Sequence, residues 1–131
     1  MPQKIIKITD GIKVTVNCSY NEEHSAPPMD KYLFVYGIKI ENLCPLKVQL
    51  KRRHWFIFDS IAGLHEVDGE GVVGQQPILY PGHQFYYESF CPLGSEIGNM
   101  SGYFTFIYCD TNEEFSVDIP KFDLIFPQKL N

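Results

Sequence analysis

The first segment that could do chemistry is glycine-rich, Gly69-Glu70-Gly71-Val72-Val73-Gly74. Its letters match the dinucleotide-binding fingerprint, in which the last glycine opens a helix whose amides hold a pyrophosphate. Here a proline and a strand-like run follow instead, so that interpretation fails. Two others remain open. The glycines allow positive φ in a long connection, or their amides form an anion-binding nest for phosphate, with Gly69, Gly71 and Gly74 as the binding residues.

Two adjacent arginines, Arg52 and Arg53, are the second candidate. A guanidinium group suits bidentate contact with phosphate or carboxylate, so either arginine could neutralise an anion held at the glycines if the fold brings them close. The alternative places one arginine in solvent and the other over an aromatic ring. In that case His54 is a hydrogen-bonded structural residue and Trp55 anchors the core. Both interpretations of the arginines stay open.

No catalytic residue, metal ligand or cofactor is predicted. The four cysteines contain no Cys-x-x-Cys pair, and the four histidines lack the paired spacing of a metal site. An acidic run beside the glycines could serve a metal-assisted phosphohydrolase only if its members converged on one ion, and such runs are usually just solvated. The residues concerned are His24, His54, His65 and His83, and Glu66, Asp68 and Glu70.

Length and composition predict one domain spanning residues 1–131. A net charge of −5 argues against a nucleic-acid binder that works by bulk charge. The N-terminus has no secretory pattern, and no apolar run is long enough to cross a bilayer. We therefore expect a cytoplasmic location, in which the cysteines are reduced. Cys18 and Cys109 lie in strand-like runs and should be buried, whereas Cys44 and Cys91 each precede a proline and should be more accessible.

Alternating apolar and polar residues predict an all-β sandwich of two mainly antiparallel sheets. No apolar pattern at helical spacing extends over three turns. The glycine-rich segment 68–74 and residues 91–99 are predicted to be loops, and a polar, proline-rich break is expected at 21–30. The predicted strands are 14–20, 32–41, 47–59, 64–67, 78–80, 84–90, 100–109 and 115–126.

Two irregularities are predicted within these strands. Val48 and Leu50 face inward, and Trp55 shares their side only if the strand gains one residue, so we expect a β-bulge near Arg52 and Arg53. Pro120 interrupts the last strand and should lie at an edge or a bulge. Bulky aromatics also occupy both faces of two strands, so some must be exposed to partners or covered by loops. They are Phe90, Phe104, Phe106 and Tyr108.

An ordered set of motifs extends along the chain: Arg53-His54-Trp55, Glu66-Val67-x-Gly69-x-Gly71-Val72-Val73-Gly74-x-Gln76-Pro77, Pro81-Gly82, Ser89-x-Cys91-Pro92-Leu93, Gly98-x-Met100-x-Gly102-x-Phe104 and Ile119-Pro120-x-Phe122-x-Leu124. This set resembles the ApaG family, and the similarity covers about residues 14–126. The resemblance implies an immunoglobulin-like or fibronectin type III-like sandwich and a bacterial stand-alone protein. Eukaryotic relatives carry the domain attached to others, and there it looks like a protein-interaction module. The family name also associates the chain with cobalt and magnesium handling and with dinucleoside polyphosphates.

Together these features predict a non-enzymatic binding module. The leading hypothesis is contact with an unidentified protein partner through the glycine-rich loop and the exposed aromatics. The alternative is binding of phosphate, pyrophosphate or a dinucleoside polyphosphate at 69–74, with Arg52 or Arg53 nearby. No nucleic acid or membrane partner is expected, and a homodimer stays open.

Overall fold

The computed structural model describes residues 3–22 and 32–130, so most of the proline-rich break predicted at 21–30, including His24, lies outside the described residues. A short 3-10 turn at Pro127–Leu130 follows the strands. In the described ranges no helix is long and apolar enough to span a membrane. The strands are β1 (Gln3–Thr9), β2 (Ile12–Tyr20), β3 (Tyr32–Asn42), β4 (Val48–Asp59), β5 (Gly63–Glu70), β6 (Ile78–Leu79), β7 (Gln84–Leu93), β8 (Ile97–Tyr108) and β9 (Glu114–Ile125).

The strands form two sheets that pack face to face. One sheet has the order β1-β2-β3-β7, and the other has the order β5-β4-β8-β9, with β6 paired to the start of β4. Every pairing between these strands is antiparallel. The prediction of an all-β sandwich with two antiparallel sheets is confirmed. β1 was not among the predicted strands, and it pairs along its whole length with β2.

The core lies between the sheets and follows the alternation seen in the sequence. The inward residues of β2 and β3 are almost completely buried, for example Ile38 and Ile40 of β3. Trp55 is buried edge-on against Tyr36, with ring centroids 5.4 Å apart, and is the core anchor that was expected. Burying each large side chain stabilises the fold by about 1.5–3 kcal/mol. The largest fully buried side chains include Phe34, Phe104, Phe106 and Phe122.

Of the four aromatics of which some were expected to be exposed, Phe104 and Phe106 are completely buried. They alternate into the core from the centre of the second sheet, where neighbouring strands cover them on either side. Tyr108 is half-buried because it stacks on Phe115, with ring centroids 4.3 Å apart. Phe90 alone of the four is prominently exposed, at 61%.

The predicted bulge in β4 is confirmed. The register between β4 and β8 shifts between Leu50 and Arg52, so Lys51 is the extra residue. Because successive side chains alternate between the faces of a strand, the bulge turns Arg52 outward and Arg53 inward, in line with Trp55. This switch places one of the two candidate arginines between the sheets.

Several predicted boundaries need correction. β5 continues to Glu70, so the glycine-rich loop begins later than residue 68. β7 runs to Leu93 and β8 starts at Ile97, which reduces the predicted 91–99 loop to a three-residue turn. Pro120 lies where the β8–β9 register shifts, at a bulge in an edge strand, as predicted.

The four cysteines are free thiols. Cys18 is buried, as expected, but Cys91 is buried too, because its position in β7 points inward instead of opening a loop. Cys109 is only partly buried, contrary to expectation. Burial raises the pKa of both Cys18 and Cys91 to about 12.

We expect thiol alkylation at pH 8 to modify Cys44 and Cys109 well before Cys18 and Cys91. A thiol with a pKa near 12 is ionised to only about one part in ten thousand at that pH, and burial also blocks the reagent. Mass spectrometry of peptides from iodoacetamide-treated protein measures this order, with urea-unfolded protein as the control in which all four react. Labelling of Cys91 as fast as Cys44 would contradict it.

Candidate functional site

A cleft of about 450 Å³ opens between β5 and β7, at one side of the sandwich. Its floor is the inward face of β4, and its apolar lining includes Trp55, Ile57, Val67, Phe90 and Met100. The volume falls in the range of about 300–1,000 Å³ that is usual for ligand pockets, and an apolar lining with a few polar groups is also typical of them.

The cleft exists because the two sheets do not cover each other fully. On the opposite side β9 packs against β1 and β2 and closes the sandwich. β5 is the outermost strand of its sheet, and its inward residues His65 and Val67 remain exposed although they share the side of Ile57 and Trp55. β5 therefore overhangs the edge of β7 and leaves the space between them open.

Arg53 is the charged group of the cleft. Its Nη1 donates hydrogen bonds to the carbonyl oxygens of Glu70 at 2.9 Å and Gly71 at 3.0 Å. Gly69 lies opposite Arg53 in the β4–β5 ladder, and a Cβ there would lie 3.1 Å from the guanidinium nitrogens, so the glycine gives the guanidinium room. Within the described ranges Arg53 forms no ion pair, and its charge is not neutralised by a carboxylate.

Two tyrosines stand near Arg53 on the opposite wall. The Tyr36 hydroxyl hydrogen-bonds with Ser89, whereas the buried hydroxyl of Tyr87 has no hydrogen-bond partner among the described residues. Burial raises the pKa of Tyr87 well above its usual value of 10, and Tyr36 raises it further, while the nearby charge of Arg53 lowers it. Tyr87 is therefore a neutral hydroxyl that can donate a hydrogen bond to a ligand.

The glycine-rich segment ends in a tight turn. Val73 and Gly74 have φ values of 43° and 78°, both positive as in a type I′ turn. Val72 and Gln75 exchange two backbone hydrogen bonds of 2.8 and 2.9 Å across it, and the Gly71 amide donates to the carbonyl of the bulge residue Lys51 at 2.9 Å. The amides of Gly71, Val72 and Gln75 thus already have partners, which removes three donors from the nest interpretation.

The other candidate charges lie on the outer face of the second sheet. Arg52 pairs with Asp68 at 3.1 Å, and His54 contacts Glu66 at 2.8 Å while its ring stacks on Tyr103 with centroids 5.0 Å apart. His54 is thus a hydrogen-bonded residue, as one of the two interpretations had it. Arg52 and the acidic run face away from the cleft, because neighbouring residues of a strand point to opposite sides.

The structure therefore brings only part of the predicted site together. Arg53 lies beside Gly69 and Gly71, Gly74 lies at the tip of the turn, and Arg52 is on the other face of the sheet. In residues 3–22 and 32–130 no three His, Cys, Asp or Glu side chains are grouped so that they could hold a metal ion.

Sequence reasoning missed the residues that β5 and β7 contribute to the cleft. Alternation in β7 does place Tyr87 and Ser89 inward, on the same side as Cys91. What the sequence does not reveal is that β5 overhangs β7, because that depends on how the two sheets are placed relative to each other.

Comparison with known proteins gives consistent matches over nearly the whole chain. A family model described as ApaG domain matches residues 22–108. A Protein ApaG from Methylobacterium sp. (strain 4-46) is 46% identical over 119 residues, 91% of each chain. One from Thiobacillus denitrificans is 42% identical over 120 residues, 92% of this chain and 94% of the relative. A crystal structure of an ApaA protein from Bordetella pertussis superposes with a TM-score of 0.84 at 39% identity, covering 89% of this chain and 94% of that one.

Proposed function

The chain belongs to the ApaG family, and we propose that it is a non-enzymatic binding module that takes a segment of a partner protein into the cleft between β5 and β7. The main support is that the two features expected to meet a partner line this one cleft. Val73, in the glycine-rich turn, is 52% exposed, and the exposed aromatic Phe90 lies on the opposite wall.

The apolar surface around the cleft fits such a role. Single exposed apolar residues are normal on a protein surface, but a group around a concave site is typical of an interaction surface. Val67 of β5 is exposed on one side of the opening, and Phe90 of β7 is exposed on the other. An apolar side chain entering between them would remove apolar area from water on both sides.

The geometry also supports a binding role over a hydrolytic one. Metal-assisted hydrolysis needs convergent ligands and an activated water. Asp68 and Glu66 are engaged with Arg52 and His54 on the face of β5 that points away from Arg53. The cytoplasmic location expected from the sequence is part of the same proposal.

We expect Phe90→Ser to weaken capture of a cleft-binding peptide by at least about tenfold, because an exposed aromatic at a binding site often carries much of the affinity. The probe is a peptide chosen from a displayed random library for binding to the wild-type protein, and its Kd is measured by fluorescence anisotropy.

The matched control for that experiment is Tyr86→Ser. Tyr86 lies on the same strand and is 50% exposed, but it bonds to Glu88 and does not line the cleft. Equal affinity of the Phe90→Ser variant and the wild type, or an equal loss in both variants, would reject the cleft as the binding surface. Circular dichroism is the check that both variants are folded.

A phosphate-containing small molecule is the second candidate, and one observation favours it. Arg53 hydrogen-bonds to the carbonyl oxygens of Glu70 and Gly71, so a cation does lie next to the glycine-rich segment. The same proposal would cover the divalent-metal link that the family resemblance suggests.

We expect calorimetric titration with pyrophosphate, or with a dinucleoside polyphosphate, to show no saturable binding below the millimolar range, with or without magnesium. A polyanion needs several donors, and three amides of the turn are already engaged. Saturable micromolar binding that disappears in Arg53→Gln but persists in Arg52→Gln would instead establish the small-ligand function.

A further inference from the structure

The polar groups of the cleft are matched to an anion. None of the described residues that line it is acidic, and Arg53 is the one permanent cation among them. Two backbone carbonyls accept hydrogen bonds from Nη1, but in the described chain Nη2 donates none. A guanidinium group without a carboxylate partner, in a cleft with apolar walls, attracts an anion more strongly than one in open water.

The buried hydroxyl of Tyr87 is a second and independent sign of a ligand. Its residue is only 7% exposed, it lines the cleft, and no described residue is its hydrogen-bond partner. Leaving a buried polar group without a partner costs free energy, so such groups are rare and often mark a place where a ligand completes the bonding. A ligand oxygen between Tyr87 and Arg53 would receive a neutral and a charged hydrogen bond.

The number of donors favours a single carboxylate over a phosphate group. One guanidinium group and one hydroxyl can satisfy two carboxylate oxygens, whereas a phosphate presents three oxygens and up to two charges. Besides Arg53, the cleft is lined by one other basic residue among those described, His65, whose side chain is exposed. Three amides of the glycine-rich segment, those of Gly71, Val72 and Gln75, are already bonded to the carbonyl oxygens of Lys51, Gln75 and Val72.

The rest of the cleft fits an extended peptide. In the described chain β7 pairs only with β3, so its other edge has backbone N–H and C=O groups that can pair with an added strand. The apolar walls would then contact the side chains of that strand. Val72 and Val73 of the turn line the cleft at the end where Arg53 bonds to Gly71, so a chain running towards Arg53 meets the turn. A chain that ends there avoids this obstacle.

From these observations we propose that the cleft binds the C-terminus of a partner protein, with its terminal carboxylate held by Arg53 and Tyr87 and its apolar last side chain against Trp55 and Val67. The partner segment lies extended along β7. This inference rests on the proposed function and adds the chemistry that selects the partner.

The test compares peptides that differ only at the C-terminal group. Hexapeptides with free carboxylates that end in Leu, Ile, Val or Phe are screened against the protein, and the tightest is titrated as the acid and as its C-terminal amide. We expect the amide to bind at least about tenfold more weakly, since hydrogen bonds to a charged group are among the strong ones. If the two forms bind equally, or if no hexapeptide binds below millimolar concentration, the inference is wrong.

Variants of the protein assign that preference to residues. The dissociation constant of the amide divided by that of the acid measures the preference for the carboxylate. This ratio should fall towards one in Arg53→Gln and decrease severalfold in Tyr87→Phe, and it should stay unchanged in Arg52→Gln. Arg52 is the matched control, because it is the neighbouring arginine on the opposite face of the sheet. If the ratio is as high in Arg53→Gln as in the wild type, the assignment is wrong, even if a structural change in the variant weakens binding of both the acid and the amide.

Two further titrations show whether the bound anion belongs to a peptide, to a small carboxylic acid or to a phosphate compound. The N-acetylated last residue of that hexapeptide carries the same carboxylate and side chain without the strand, and we expect it to bind at least about tenfold more weakly than the hexapeptide, because it lacks the contacts along β7. Equal affinity would mean that the cleft takes a small acid, and displacement of the hexapeptide by micromolar pyrophosphate would mean that it takes a phosphate. If a peptide binds equally well as acid and amide, but its binding is lost in Phe90→Ser, this inference is wrong and the proposed function is still supported.

Discussion

Replacing Asp59 by alanine is expected to lower the free energy of unfolding by about 3 kcal/mol, because several hydrogen bonds to a buried charge are lost at once. Asp59 is only 5% exposed, at the end of β4. Its carboxylate accepts hydrogen bonds from the Ser95 hydroxyl at 2.6 Å and from the backbone amides of Gly94 and Ile61, both at 2.9 Å. These contacts tie β4 to the turn that joins β7 and β8, and so link the two sheets.

Urea unfolding at pH 7 measures this effect, and Asp118→Ala is the control. Asp118 is also an aspartate of the second sheet, but it forms an ion pair of 2.9 Å with Lys7 in which both side chains are about half exposed. Exposed pairs of this kind contribute at most about 1 kcal/mol. If Asp59→Ala cost no more than Asp118→Ala, the carboxylate would not be the structural link described above.

The same residue should make stability depend on pH in the acid range. Burial alone would raise the pKa of Asp59, but the hydrogen bonds from Ser95, Ile61, Gly94 and Ala62 outweigh it and lower the pKa from 3.8 to about 2. Because the folded-state pKa lies below the unfolded one, the charged form stabilises the fold fully above about pH 4. As the pH falls from about 4 to 2, protonation removes about 2 kcal/mol.

This pH dependence is measured as the difference in unfolding free energy between the wild-type protein and Asp59→Asn. The difference should be constant from pH 5 to 7 and shrink by about 2 kcal/mol as the pH falls to 2. Asparagine keeps the size of the side chain and does not titrate, so the comparison isolates the carboxylate. A difference that did not change with pH would show that Asp59 has an ordinary pKa in the folded state.

The sequence predicts much of this fold because burial forces alternation. The switch of inward positions between Leu50 and Trp55 was enough to predict the bulge, and the same alternation places Arg53 inward once the extra residue is Lys51. β1 could have been predicted as well. Asp10 and Gly11 both have positive φ between two paired strands, and Asp-Gly between β-branched runs is a strong hairpin signal.

The cleft could not be predicted in the same way. Each strand pattern shows which residues face inward but not whether another strand covers them, so His65 and Val67 look like core positions until the edge of the other sheet is known. Whether a carboxylate neutralises the charge of Arg53 likewise depends on which side chains face it in the fold. The acidic run is close in sequence to the glycines, yet Asp68 pairs with Arg52 on the other side of β5.

Gly71 and Gly74 differ in their surroundings, so alanine substitutions at the two positions distinguish the cost of a positive φ from the cost of a steric clash. Both have positive φ, 63° and 78°, which costs an alanine about 1–2 kcal/mol. A Cβ on Gly74 would meet nothing within 4 Å, whereas one on Gly71 would lie 2.2 Å from the carbonyl oxygen of Gln75. Gly74→Ala should therefore destabilise the protein by about 1 kcal/mol, and Gly71→Ala by at least about 3 kcal/mol, because the backbone must also move.

Urea unfolding of the two variants tests this difference, and binding of the selected hexapeptide shows what the turn does for the cleft. Movement of the turn at Gly71 would disturb the carbonyl that accepts a hydrogen bond from Arg53, so we expect Gly71→Ala to weaken binding while Gly74→Ala leaves it unchanged. Equal stability of the two variants would contradict the predicted contact with Gln75. Loss of binding in Gly74→Ala, without loss of stability, would mean instead that the tip of the turn touches the ligand directly and that the glycines have the binding role first considered for them.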